Sequence, residues 1–250
     1  MSIPIGLELY SVREDCKKDF SGTVAKVAKM GYTCVEFAGY WDHTADQVKA
    51  MLDDNGLTCS SAHTGLPLLQ GDKFDETVAF AKAIGNTRLI VPGLPGEFQG
   101  SVDNVKRAAD ALNEIAEKLA PHGMRTGYHN HAWEFTKLET GEYPWDVLFS
   151  NLREDVIMQV DSGNAMGAGE DIIPFVKKYP GRAASVHLKE HTDAPEGATI
   201  GNGTIAWDEL FQVCESIGGT DVYIVEQEVY PVPPLEACQQ CIDALRKMGK

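Results

Sequence analysis

Eight short runs rich in β-branched residues alternate with longer amphipathic stretches along the 250 residues, and no other feature constrains the fold as tightly. The runs fall at about Ile3–Tyr10, Thr33–Ala38, Leu57–His63, Arg88–Pro92, Met124–His129, Val156–Asp161, Ala184–Lys189 and Val222–Glu228. Between them, SGTVAKVAKM, TADQVKAMLDDNG, FDETVAFAKAIGN, VDNVKRAADALNEIAEKLAPHG and DIIPFVKKYPG place apolar residues three and four apart, the spacing of one helix face. Several of these stretches stop at Gly31, Asn55–Gly56, Gly85–Asn86, Gly123, Gly181 or Gly218–Gly219, where a helix end favours a residue that accepts the left-handed conformation. A repeat of roughly 30 residues is one βα unit. Eight units without a linker predict a single α/β domain over residues 1–250, a (β/α)8 TIM barrel. The competing open, doubly wound sheet needs a glycine fingerprint after its first strand, where this chain has YSVRED.

Charge narrows the partners. Lys and Arg total 22 against 37 Asp and Glu, a net charge of −15, which opposes a nucleic-acid or anionic-membrane partner. Six scattered cysteines do not make a disulfide scaffold. The one CxxC, Cys238 and Cys241, lies in the helical stretch LEACQQCIDALRKM and reads as two small buried hydrophobes. The opening MSIPIGLELYSVRED has no basic leader, and no run reaches 18 apolar residues, so a reducing, cytoplasmic setting is expected. A homo-oligomer is compatible with the pattern, with no stripe that selects one.

In such a barrel the chemistry gathers where the strands end. Those ends carry Glu8 and Tyr10, Glu36, His63, His129-Asn130-His131 followed by Trp133 and Glu134, Asp161 and Asn164, His187 and Lys189, and Glu226 and Glu228. Side chains alternate along a strand, so His129 and His131 point one way while Asn130 points the other. A single such histidine reads as a satisfied polar residue. Imidazoles and carboxylates converging from several strands need a counter-charge, which a divalent cation supplies. The best four ligands are His129, Asp161, His187 and Glu226, and mixed nitrogen and oxygen donors suit Mn, Zn, Co, Fe or Mg. His131 is open as an alternative to His129.

Taken together, HNHAWEF, VDSGNAMGAGED, HLKE, GNGTIAWDEL and VEQE, with LELYSVRED and AHTG near the start, resemble the xylose isomerase-like barrels of the sugar phosphate isomerase/epimerase family. The resemblance spans nearly the whole chain. It implies one divalent metal held by an acidic residue after strand five, an Asp after six, a His after seven and a Glu after eight. Carried over, the last three are Asp161, His187 and Glu226; His129 stands where a Glu is usual, and Asn164 where many relatives have a second His.

The chemistry implied is proton abstraction beside a carbonyl through an enediolate, giving isomerisation or epimerisation of a sugar, keto-sugar or polyol-derived ketone. The alternative is a lyase or dehydratase on a 3-keto-sugar, inosose or dehydroshikimate-like substrate. The replacement of one paired carboxylate by His129 favours that alternative, because elimination needs one base and one acid. His131, Glu134, Glu226 and Lys189 are the candidate acid/base groups. Glu8, Tyr10, Glu36, His63, Trp133, Asn164 and Glu228 are candidate contacts to a small carbohydrate. A DNA phosphodiesterase, also known among such barrels, would want about three metals and a basic rim, which the acidity opposes.

Overall fold

The computed structural model describes residues 2–250. Strands β1 (Ile5–Glu8), β2 (Cys34–Phe37), β3 (Thr58–His63), β4 (Arg88–Val91), β5 (Arg125–His129), β6 (Ile157–Asp161), β7 (Ser185–Leu188) and β8 (Val222–Val225) close into a barrel. Each neighbouring pair is parallel, and β1 pairs with β8 to seal it. The outer layer is formed by α1 (Arg13–Lys18), α2 (Phe20–Met30), α3 (Ala45–Asp54), α4 (Phe74–Ala83), α5 (Val102–Leu119), α6 (Pro144–Asn151), α7 (Ser162–Met166), α8 (Ile173–Lys178), α9 (Trp207–Val213) and α10 (Pro234–Lys247). This is the predicted (β/α)8 architecture.

Two cores with different chemistry follow from strand alternation. Outward-facing residues such as Leu7, Val35, Leu89, Tyr128, Val160 and Val186 pack under the helices. The α5 stripe Val105, Ala108, Leu112, Ile115 and Leu119 is a clear case, each large side chain contributing about 1.5–3 kcal/mol by leaving water. Inside the barrel, Cys34, Val222 and Ile224 form one small apolar group, and Ile90, Ile157 and Ala184 another. Space there is tight: a Cβ on Gly127 would lie 2.6 Å from Ile90 Cδ1. Further up the lumen, Glu8, Glu36, Ser61, Gln159 and Ser185 are all buried. Barrel layers are ordinarily branched and apolar. A polar layer survives only if its members bond one another.

Several boundaries shift from the sequence expectation. β1 stops at Glu8 rather than Tyr10, because Glu8 Oε1 accepts the Tyr10 N–H at 3.1 Å and turns the chain into a 3-10 turn at Leu9–Val12. β8 stops at Val225, leaving Glu226–Glu228 in the loop that follows. α6 lacks a readable stripe because Pro144, Trp145, Val147, Leu148 and Phe149 are all buried. Cys238 and Cys241 are buried, unpaired residues of α10. Among the described residues, no helix is long and apolar enough to cross a membrane.

Candidate metal centre

Four strands bring His129, Asp161, His187 and Glu226 together at the mouth of the barrel. One ligand atom from each lies within 4.8 Å of the others, and all four side chains are buried. Two buried atoms here lack any hydrogen-bond partner, Asp161 Oδ2 and His129 Nδ1. Leaving a buried carboxylate oxygen unbonded costs about 1–3 kcal/mol or more. Two imidazoles and two carboxylates with such unmet capacity fit a divalent cation, and the donor set suits Zn or Mn better than calcium.

Beneath the four, a second set of polar residues holds His187 in place. Its Nε2 donates to Glu36 Oε2 at 2.5 Å, and its Nδ1 faces Glu226 Oε2 at 2.7 Å. Gln159 Nε2 donates to Glu36 Oε1 at 2.9 Å and to Ser185 Oγ at 3.0 Å, while its carbonyl oxygen lies 2.9 Å from His63 Nε2. His63 in turn stacks on His187, ring centroids 5.4 Å apart. A carboxylate behind a ligating histidine fixes its tautomer and raises its basicity.

Burial and mutual charge sort the protons. Burial disfavours a charged His187, but Glu36 and Glu226 outweigh it and hold the imidazole well above its ordinary range. Burial likewise opposes ionised Glu226, yet Lys189 and His187 hold it well below the usual carboxylate range. Asp161, dominated by burial, is pushed up to about 8. Glu8 is raised by burial and by the neighbouring charge of Glu36. Burial keeps His129 well below its ordinary value, hence neutral and able to ligate. Without a cation, protons on His187 and Asp161 do the neutralising that a cation would do.

The predicted contact residues divide. Tyr10, His63, His129, His131, Glu226 and Glu228 line a cavity of about 290 Å³ that opens to solvent. Lys189 pairs with Glu228, reaches Asn164 Oδ1 at 2.9 Å, and stands 3.9 Å from Glu226 Oε1. Asn164 also donates to Asn130 O at 3.0 Å, which holds its amide near His129. Glu36 and Glu8 do not line this cavity; with His63 and His187 they form a second buried group whose ligand atoms lie within 4.8 Å of one another, and Glu8 Oε2 has no hydrogen-bond partner.

Glu134 and Trp133 are placed differently from expectation. Glu134 is fully buried behind the loop: Oε1 accepts from the Tyr128 hydroxyl at 2.5 Å and Oε2 from the His131 N–H at 2.7 Å. Tyr128 faces the helix layer, so both carboxyl oxygens are spent on positioning the His131 loop and neither faces the mouth. Burial pushes Glu134 up to about 7. Trp133 is half-buried and lies outside the cavity lining.

Three residues matter here that motif reading passed over. Asn130, facing away as alternation predicts, accepts the Asp161 N–H at 2.8 Å and donates to the Asp161 carbonyl, which locks the ends of β5 and β6 together. Gln159 sits two residues before Asp161 and so on the same face, a signal available in the sequence. Glu190 binds four N–H groups, those of His191, Gly201, Ile205 and the Trp207 indole, and nothing in its own sequence neighbourhood announces this.

The fold and the four-donor mouth define a TIM barrel whose mouth carries a cluster of side chains that could hold a metal ion. The chain belongs to the xylose isomerase-like TIM barrel family, whose model matches residues 24–248. It is 25% identical over 191 residues to an inosose dehydratase of Clostridium perfringens (strain 13 / Type A), covering 68% of this chain and 63% of that one. It thus spans just under two thirds of that relative's length. An inosose dehydratase of Geobacillus thermodenitrificans (strain NG80-2) is 22% identical, with 85% and 83% covered. Among solved structures, a sugar phosphate isomerase/epimerase of Parabacteroides distasonis ATCC 8503 superposes with a TM-score of 0.85 at 22% identity, covering 98% of this chain and 94% of that one. The IolI protein, solved with a bound zinc atom, superposes with a TM-score of 0.76 at 17% identity, covering 98% and 97%. At such identities the structural likeness establishes the fold.

Proposed function

We propose that this protein is a divalent-metal-dependent lyase that removes water from a cyclic keto-polyol or keto-sugar of the inosose type. The observation that carries the reading is the asymmetry of the mouth: Glu226 is the one carboxylate that both reaches the cation site and lines the cavity, and Lys189 Nζ stands 3.9 Å from its Oε1. That is one base beside one acid. The names of the curated relatives support the same choice.

His129, Asp161, His187 and Glu226 would hold the cation. When bound, it would polarise the substrate ketone and acidify the neighbouring C–H. Glu226, kept ionised by Lys189 and His187, is placed to take that proton. The Lys189 ammonium, anchored by Glu228 and Asn164, is placed to protonate the departing hydroxyl. His63 and His131 present hydrogen-bonding groups to ring hydroxyls, and the exposed ring of Tyr10 flanks them.

The second reading, an isomerase or epimerase, is favoured by one feature: His63 ends β3 and His131 follows β5, across the barrel mouth from the end of β8, where they could serve the opposite face of the substrate. Incubation of metal-loaded protein with 2-keto-myo-inositol in D2O separates the two. Deuterium incorporation with loss of one water supports the lyase. Deuterium incorporation at constant mass supports the isomerase. Absence of exchange on any sugar ketone sinks both.

A further inference from the structure

A second cavity, of about 400 Å³, lies beside the mouth between the loop after β7 and the segment after β8. Glu228 lines both cavities, and Lys189 lines the second while its ammonium approaches Glu226 in the first. The Lys189–Glu228 ion pair is therefore the partition between them. Gly163 makes this possible. A Cβ there would lie 2.7 Å from Lys189 Cγ and 2.9 Å from Glu190 O, so only glycine lets the lysine stem lie along the start of α7. The far wall carries hydrogen-bonding side chains, Thr192 and Asp193, and one apolar surface, Val229, which is 54% exposed. An apolar face with polar edges is what a sugar ring needs.

Elimination cleaves a C–H bond on the Glu226 side of this partition and a C–O bond where Lys189 can protonate the oxygen. A departing water needs no room beyond Lys189. The chain nevertheless leaves a compartment there as large as the one that holds the ketone. We propose that this compartment receives the alcohol half of a keto-glycoside, so that the substrate is a sugar ketone whose β-oxygen carries a second ring. The inference rests on the lyase reading and extends it.

The step balances without an oxidant or a further reactant. The C–H electron pair becomes the new C=C bond, and the proton goes to Glu226. The C–O pair leaves with the oxygen, which takes a proton from Lys189. The products are an unsaturated keto-sugar and a free alcohol. Proton exchange with water then restores both side chains.

The test compares two ketones with the same reacting ring, methyl 3-keto-β-glucoside and 3-keto-cellobiose, on the metal-loaded protein, each kcat/KM being divided by that ketone's own base-catalysed elimination rate constant to remove the difference in leaving-group acidity. The keto-disaccharide is expected to have a kcat/KM at least tenfold higher. Ala198→Trp and Ala194→Trp, each filling the second cavity from a different side, are expected to remove that advantage and leave the methyl glycoside within twofold. Equal kcat/KM in the parent protein overturns the inference. So does an equal loss on both substrates in both variants, and so does α-hydrogen exchange in D2O without release of glucose. Failure of the underlying reading looks different, because then no ketone, 2-keto-myo-inositol included, exchanges its α-hydrogen, and the inference falls with it.

Discussion

His187 Nε2 lies 2.5 Å from Glu36 Oε2, joining β7 to β2 across the barrel lumen. Glu36 and Glu226 sit on different nitrogens of His187, so in the His129–Asp161–His187–Glu226 set Glu36 bears on a cation through the imidazole. Glu36→Gln keeps the shape and removes the charge. It is expected to weaken metal binding about 10–100-fold while leaving metal stoichiometry at one, measured by competition with a fluorescent chelator. An unchanged Kd would remove Glu36 from the metal's support.

Asp161, pushed up to about 8, must lose its proton to ligate. Its folded-state value is above the ordinary carboxylate value, so in the metal-free protein the protonated form is favoured and stability declines as pH rises towards about 8. Metal affinity runs the other way, increasing with pH by up to about tenfold per unit for each proton the cation displaces, one from Asp161 and one from His187. Titration of the metal in weakly and strongly ionising buffers should register proton release at pH 7, and its absence would contradict this assignment.

Asp161→Asn separates the cost of the site from its use. Without metal, the variant should melt near or above the parent, since the amide keeps an oxygen for the Asn164 N–H that Oδ1 now accepts and puts no titratable group at Oδ2, the oxygen without a partner. With metal at about 100 times the parent's Kd, the parent gains about 2.7 kcal/mol and the variant gains nothing. A parent melting temperature indifferent to every metal tried would refute the metal centre itself.

Lys189→Met tests the division of labour at the mouth. His187 still favours ionised Glu226 after Lys189 is lost, so deuterium exchange should continue within about tenfold of the parent. Elimination should fall about 10²–10⁴-fold, the usual worth of a general acid. Equal loss of exchange and elimination would assign Lys189 to holding Glu226 rather than to the leaving group.

Glu134 gives a stability signature unrelated to metal. Its folded value, about 7, exceeds its ordinary 4.5, so its favourable contribution is complete below that ordinary value and is lost as pH rises through about 7. The loss amounts to about 3 kcal/mol at most. Urea unfolding at pH 5 and pH 8 should show this decline in the parent, and Glu134→Gln should flatten it.

The barrel was readable because both of its periods are written plainly: β-branched runs of constant direction, and helix stripes such as Val105–Leu112–Leu119 with nothing polar interrupting them. The mouth was readable because strand alternation puts His129, Asp161 and His187 on the inner face and Glu226 follows directly on the end of β8. Depth was not. Glu36 and Glu8 look like mouth residues in the sequence, yet neither lines the cavity: Glu36 accepts from Gln159 and Glu8 Oε1 from the Tyr10 N–H. Glu134 follows the strand-five ligand by only a few residues, but the 3-10 turn at Trp133–Phe135 aims it back under the loop at Tyr128. Such turns are set by tertiary hydrogen bonds, which leave no periodic trace. For the same reason Glu190 shows nothing until Gly201, Ile205 and Trp207 are folded around it.

Those four N–H groups on Glu190 have a consequence for how ligands come and go. A segment tied to one carboxylate by charge-assisted bonds already has its shape in the free protein. Binding then spends little free energy on freezing that wall of the pocket, and more of the contact energy is left to distinguish transition state from ground state. Turnover in such a protein would be paced by bond breaking rather than by the opening of a flap, and solvent viscosity should leave its rate untouched.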